Sequence, residues 1–359
     1  MSGGQAFDQL PTTELSGAAR RDVSLARSAE PPSSFVSADL RYALLRQHGT
    51  FSQAYSATFG PELKHFGDER GFIAYKTVWG TTMALADPVA PSQNVADLVA
   101  RFLREHSDVA FWQISRSIAG TLASLGFVVN EIGRDTRLDL ASYDFEGQRK
   151  RNLRKAIARM AKLGFVTREC TLAELDLDEV KAVSDAWRRK RTFRNTEVIF
   201  LNRPVVLTEE PDVRRFFSFD RDGRLAGFGF FDPIYEAGEV VGYSTCNTRH
   251  RHDVDGMIGH AIKRVAIETF KNEGRKWMYL GLSPAEQIDD EDFQFDWLVR
   301  RSLRFAYTSD LFNRFVYPLR GHAVHKAQFA GAFERTYMAF NRRPGLLRLF
   351  KLFRACRMI

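Results

Sequence analysis

The stretch GQRKRNLRKAIARMAKLG, residues 147–164, lies near the middle of a 359-residue chain and decides how the rest is read. Leu153, Ile157 and Met160 recur at i, i+4 and i+7, which puts one apolar stripe along an α-helix for docking on a sheet. Arg151, Arg154, Lys155, Arg159 and Lys162 fall on the opposite arc, and Arg149 and Lys150 add charge at its start. No acidic residue occurs from Gly147 to Arg168. A solvated helix face ordinarily mixes signs, because like charges one turn apart repel. An all-cationic face therefore predicts a polyanionic partner, with a plain solvated face as the alternative reading. Phosphate backbones are met by such faces without any reading of sequence.

Outward from this helix, the pattern on its two sides is alike. Before it come a helix at 39–48, a hairpin of strands 71–79 and 81–86, a helix at 94–106, a buried strand at 108–114, a helix at 117–125 and a strand ending near Ile132. After it come a strand at 165–169, a helix at 175–191 and a hairpin (216–220 and 225–231) turning on Arg221, Asp222 and Gly223. A strand at 239–246, a helix at 256–273 and a strand at 276–282 complete the series. Alternation of this kind predicts an α/β protein with mixed sheets and flanking helices. The echo predicts two similarly built domains in tandem, residues 35–146 and 165–340, joined by the basic helix. Residues 1–34, rich in Ser, Ala, Gly and Pro, read as a disordered leader, and 341–359 as a basic amphipathic tail.

The composition narrows the class. A hydrophobic content of 44% excludes a disordered chain, and a net charge of +8 favours partners that carry phosphate. Cys170, Cys246 and Cys356 form no CxxC pair and no metal-ligand spacing, which fits a reducing cytoplasm. No apolar run approaches the ~18 residues of a membrane span, so any membrane contact is expected to be peripheral. In the tail, Leu346, Leu349, Phe350, Leu352 and Phe353 share one side of a helical wheel while Arg348, Lys351 and Arg354 take the other. That pattern suits an anionic membrane surface or, equally, a terminal helix packed on the domain.

Three further places carry candidate chemistry. Arg249 opens a polar run to Gly256 in which His250 and Asp255 stand at HxxxxD spacing, a weak signal. The more economical reading is that Asp255 caps the next helix and leaves free N–H groups after Gly256 to face an anion or a reacting carbonyl. Asp87-Pro88 and Ser283-Pro284 close apolar strands, and strand ends of open α/β sheets are where ligands bind; for Asp87-Pro88 turn chemistry is the preferred reading. His322, His325, Lys326 and Arg335 crowd near aromatic residues, a density of titratable groups that suits a charged substrate.

The order Ser124-Leu125-Gly126-Phe127, Ile132-Gly133, Asp135, Leu138-Asp139-Leu140, Phe145, Gly147, then Arg151 and Leu153-Arg154-Lys155-Ala156 resembles the catalytic domain of the phosphatidylglycerol lysyltransferases, tRNA-dependent lipid aminoacyltransferases. Asp185-Ala186-Trp187, Arg249, Gly256-Met257, Leu280-Gly281-Leu282-Ser283-Pro284, Lys326, Phe329, Glu334-Arg335 and Tyr337 extend the likeness over about residues 35–340. It implies two GNAT-like domains joined by the positively charged helix, with an aminoacyl-tRNA donor as co-substrate and a lipid acceptor such as phosphatidylglycerol. It implies neither metal nor cofactor, and a place on the inner face of the cell membrane. On that footing Arg249, Lys326, His325 and Asp185 are expected to be catalytic, and Ser283, Gly256, Arg335 and Tyr337 to bind substrate. Arg149, Lys150, Arg151, Arg154, Lys155, Arg159 and Lys162 are expected to meet tRNA, and Arg348, Lys351 and Arg354 the membrane. Two departures bear on the acceptor. Ile258-Gly259-His260 stands where such proteins commonly carry an acidic residue, and this sequence has no multispanning membrane segment. A small soluble amine in place of a lipid, or a CoA-dependent GNAT reaction, are the alternatives.

Overall fold

A computed structural model describes residues 36–191, 197–289 and 291–358. The expected leader lies outside the described residues. In chain order the elements are α1 (Ala38–His48), α2 (Ala54–Phe59), β1 (Lys64–Asp68), β2 (Gly71–Val78), β3 (Thr81–Val89), α3 (Ser92–Glu105), β4 (Val109–Ile114), α4 (Arg116–Ser124) and β5 (Val128–Asp139). A 3-10 turn at Gln148–Lys150 leads into α5 (Arg151–Lys162), then β6 (Val166–Glu169), α6 (Leu177–Arg191), β7 (Arg214–Phe219), β8 (Leu225–Glu236), β9 (Glu239–His250), α7 (Ile258–Asn272) and β10 (Trp277–Pro284). Three helices follow, α8 (Trp297–Thr308), α9 (Asp310–Phe315) and α10 (Leu319–Ala327), and the chain closes with β11 (Ala332–Phe340) and α11 (Gly345–Ala355).

Local chemistry accounts for the hairpins. Trp79 and Gly80 both have positive φ (47° and 76°), as a two-residue turn between right-twisted antiparallel strands requires. The second hairpin turns where Asp220 accepts the N–H groups of Asp222 and Arg224. Asp87, expected in a turn, lies inside β3, where its carboxylate accepts the Ser115 N–H at 2.8 Å.

The eleven strands among the described residues belong to one mixed sheet, ordered β1-β2-β3-β4-β11-β5-β10-β9-β8-β7-β6. The expected echo has a topological counterpart. β3 and β4 run parallel with α3 between them in sequence, and β9 and β10 run parallel with α7 between them. At the middle, however, the halves interlock. β5, from the first half, pairs with β10 of the second, while β11, from the second, pairs with β4 of the first. β5 and β11 also pair with each other over residues 128–137 and 332–340. The chain therefore does not divide at 147–164 into two separate sheets, and residues 34–359 form one compact unit. Nor does α5 stand between bodies: Leu153, Ile157 and Met160 are buried in one core with Ile258, Ile262 and Phe270 of α7. The docking stripe read from the sequence is the buried face.

Candidate functional site

The sheet opens between β9 and β10. The two parallel strands pair only at Trp277–Tyr279 with Gly242–Ser244, after which β10 bulges against β5 between Tyr279 and Leu282. Gly281 takes a positive φ of 85° at the bulge. On the other side of β10, Gly133 lies so close that a Cβ there would sit 2.2 Å from the Ser283 carbonyl oxygen. These two glycines give the Ile132-Gly133 and Leu280-Gly281-Leu282 motifs a mechanical reason: they allow the bulge and the close approach of backbones.

Lys326 reaches across from α10 to this bulge. Its Nζ donates to the carbonyls of Gly281 (2.7 Å) and Leu282 (2.5 Å), and the side chain is buried. Burial pushes its pKa down to about 8, against the pull of the Asp135 and Glu286 carboxylates. Asp135, buried on β5, accepts the Ser52 hydroxyl at 3.0 Å; burial raises its carboxyl to about 6, opposed first by Lys326. Ser283 Oγ, on β10, is buried and has no hydrogen-bond partner among the described residues.

A second buried lysine joins this chamber. Lys263, on α7, donates to Thr248 Oγ1 of β9 at 3.2 Å, and its Nζ is 3.5 Å from His325 Nε2. Burial and then the Lys326 charge lower its pKa to about 7. Desolvation and the neighbouring lysines hold His325 well below the ordinary imidazole value, and His260, whose ring centroid is 4.1 Å from that of His325, is lowered to about 4 by the same burial. Two buried lysines and two neutral imidazoles thus share a poorly solvated space, where a charge interacts far more strongly than in water. Sequence reading missed Lys263 and His260 as site residues.

Arg249 and Asp185 sit on the other side of β9. The buried Arg249 guanidinium pairs with Glu197, donates to Ser184 Oγ at 2.6 Å and lies over the Trp187 ring at 5.2 Å. Asp185 accepts from Arg188 at 2.6 Å. Arg249, Glu197, Trp187 and Arg188 line a cleft that reaches His322 and Tyr317, while Asp185 is not among its lining residues. α10 is its common wall with the lysine chamber, since His322 faces the cleft while His325 and Lys326 face inward.

Other expected residues fall elsewhere. Gly256 precedes α7, but the N–H groups that follow it are not free: Met257 donates to Asp255 Oδ1, and Ile258, Gly259 and His260 donate to the carbonyls of Asp255, Gly256 and Met257. The anion seat expected there is closed by the turn itself. His250 Nδ1 donates to the Arg251 carbonyl at 2.8 Å. Tyr337 is buried, and its hydroxyl accepts from Arg116 at 3.0 Å, while Arg335 lies at the surface near Glu131 and Asp289; both are on β11, apart from the Lys326 contacts.

Of the basic face, Arg149, Arg151, Lys155 and Lys162 are exposed. Lys150 instead donates to the Asp144 carbonyl and carboxylate, Arg154 to the carbonyls of Phe145 (2.7 Å) and Gly147 (2.9 Å), and Arg159 lies 3.6 Å from Asp255. In the tail, α11 packs on the domain with Leu349 and Leu352 in the core and Arg354 exposed, but two of its cations also turn inward. Arg348 is buried against Asp108 at 2.6 Å, and Lys351 donates to the Trp79 carbonyl and the Thr81 hydroxyl. Asp108, just before β4, and the β2–β3 hairpin draw these two cations inward, and Leu346, Leu347 and Phe350 are exposed. Among the described residues no group of three or more His, Cys, Asp or Glu is placed to hold a metal ion, and no helix is long and apolar enough to cross a membrane.

Residues 42–340 match the family described as "Phosphatidylglycerol lysyltransferase, C-terminal". The chain belongs to this family. A phosphatidylglycerol lysyltransferase of Bacillus subtilis is 22% identical over 313 residues, covering 85% of this chain and 35% of that protein. The chain thus spans about a third of the length of this curated relative. Among solved structures, L-PGS from Bacillus licheniformis superposes with a TM-score of 0.73 at 17% identity, covering 92% of this chain and 98% of that one. A DUF2156 C-terminal domain from Agrobacterium fabrum gives a TM-score of 0.69 at 19% identity, covering 88% and 95%. At these identities the structural likeness establishes the fold.

Proposed function

We propose that this chain transfers an aminoacyl group from aminoacyl-tRNA to a hydroxyl of an anionic membrane lipid such as phosphatidylglycerol. The observation that carries the reading is the chamber at the β9–β10 opening, where the buried Lys326 and Lys263 converge with the half-buried His325. An aminoacyl ester is already activated, so the protein has to align the acceptor, keep water out and stabilise the oxyanion. The acceptor oxygen bonds to the ester carbonyl carbon, the bond from that carbon to the ribose oxygen breaks, and the acceptor's proton ends on the departing ribose hydroxyl. Lys326 supplies positive charge to the oxyanion or to the lipid phosphate. His325, held neutral beside Lys263, takes the acceptor's proton and returns it to the leaving oxygen. Arg249, tied to Glu197, acts as a positioning residue for the cleft wall. The exposed cations of α5 supply the face for the tRNA backbone, and the two interlocked halves are read as GNAT-like repeats.

The paired N–H groups at the start of α7 weigh against a CoA-dependent reaction, which needs such donors for the pyrophosphate. The test incubates the protein with a pool of radiolabelled aminoacyl-tRNAs and a lipid extract and follows label into the organic phase. Label that is released only as free amino acid, or stays on tRNA, defeats the lipid acceptor.

A further inference from the structure

The segment between β10 and β11 concentrates strongly exposed apolar side chains among the described residues. Trp297, Phe305, Leu311, Phe315 and Val324 keep between 59% and 71% of their surface open. They come from three consecutive helices whose inner faces meet in one small cluster with Ile288 and Leu319, so their outer faces point away from the body of the protein. Charge follows the same division. Arg301, Arg314 and Arg320 are exposed on these helices, and Asp310, paired with Arg320, is the one acidic residue between Trp297 and Ala327. Monomeric proteins rarely expose this much clustered apolar surface without using it. On α8–α10 themselves, aromatic rings interleaved with arginines and a single acid match the headgroup region of an anionic bilayer, where each cation adds about 1 kcal/mol of attraction.

We propose that the outer face of α8–α10 is a membrane-docking surface that seats on an anionic bilayer. It rests on the lipid-acceptor reading above and adds where the lipid comes from. α10 presents Val324 outward and His325 and Lys326 inward, so the helix that touches the membrane carries the buried lysine of the chamber. A headgroup leaving the bilayer beneath α10 has one helix thickness to cross.

The test uses the full chain and vesicles of phosphatidylcholine alone or mixed with phosphatidylglycerol. Wild type is expected to sediment with the mixed vesicles and scarcely with phosphatidylcholine. Phe305→Asp/Phe315→Asp is expected to lose this binding by about tenfold or more at unchanged Tm. Arg301→Glu/Arg314→Glu is expected to lose it by a similar factor, and Leu347→Asp/Phe350→Asp on α11 to keep it. Binding that survives the first two variants, or falls equally with the third, overturns the proposal. So does a change in oligomeric state of the Phe305/Phe315 variant with vesicle binding intact, since the face then joins two copies of the chain. Transfer to a dispersed short-chain phosphatidylglycerol separates the two ideas: the Phe305/Phe315 variant keeps that rate and loses the rate on vesicles. A wild type inactive on both acceptors refutes the functional reading, and sedimentation still decides the docking surface.

Discussion

Lys326 combines two things that a surface lysine lacks: burial, and two backbone carbonyls that fix its ammonium at the bulge of β10. Lys326→Met is expected to lower the transfer rate by about a hundredfold or more, the cost of losing one preorganised donor to an oxyanion. Single-turnover transfer at saturating aminoacyl-tRNA checks it. Lys263 gives a pH signature. Its pKa is about 10.5 in the unfolded chain and about 7 when folded, so between these values only the unfolded chain holds the proton. Stability is therefore lost as pH falls from 10.5 to about 7, and Lys263→Met should melt on the order of a few degrees higher at pH 7, with the gain vanishing above the ordinary lysine range. Equal melting gains at both ends of that range would contradict the burial of the charge. His325 and Lys326 were legible in the sequence because titratable residues crowd there. Lys263 was not, because a helical lysine is by default a surface residue. The available signal was its place on the apolar arc of α7, one turn before the buried Ile267.

The helices show what periodicity reads well and where it stops. The docking stripe of α5 follows from spacing alone, since an apolar arc has a single destination. Which cations on the other arc are free does not follow, because carbonyls at the helix start compete for them. Arg154 holds Phe145 and Gly147, so Arg154→Ala is expected to cost about 1 kcal/mol of stability, measured by denaturant unfolding, on top of any effect on tRNA. Arg151→Glu/Lys155→Glu should leave the fold alone, raise the KM for aminoacyl-tRNA about tenfold at physiological salt, and flatten the salt dependence of binding. A salt slope equal to that of wild type would remove α5 from the tRNA interface. The inward turn of two tail cations has the same origin. A wheel gives the two faces of α11 but not the carboxylate of Asp108, nor the Trp79 carbonyl and Thr81 hydroxyl, that capture Arg348 and Lys351.

At the level of the whole molecule, the alternation of elements made an α/β sheet legible, and the echo of the two halves has its counterpart in the parallel β3–β4 and β9–β10 pairs. Local patterns carry no information on which distant strand becomes a neighbour, and the exchange of β5 and β11 lay beyond them. That exchange has a mechanical consequence for the site. Asp135 on β5 lies opposite Leu282 on β10, whose carbonyl Lys326 holds, only because a strand of the first half crosses to the second, so the chamber draws on both halves of the chain. Residues 36–146 alone would leave β4 without β11, and β5 without either neighbour, exposing long unpaired edges. The full chain is therefore expected to melt in a single cooperative transition by calorimetry, with equal van't Hoff and calorimetric enthalpies. A fragment ending at residue 146 is expected to be insoluble or disordered by circular dichroism, and one beginning at 147 to bind no aminoacyl-tRNA productively. Two resolved transitions, or a folded 36–146 fragment, would show that the halves are independent bodies and that the chamber between them is assembled after folding.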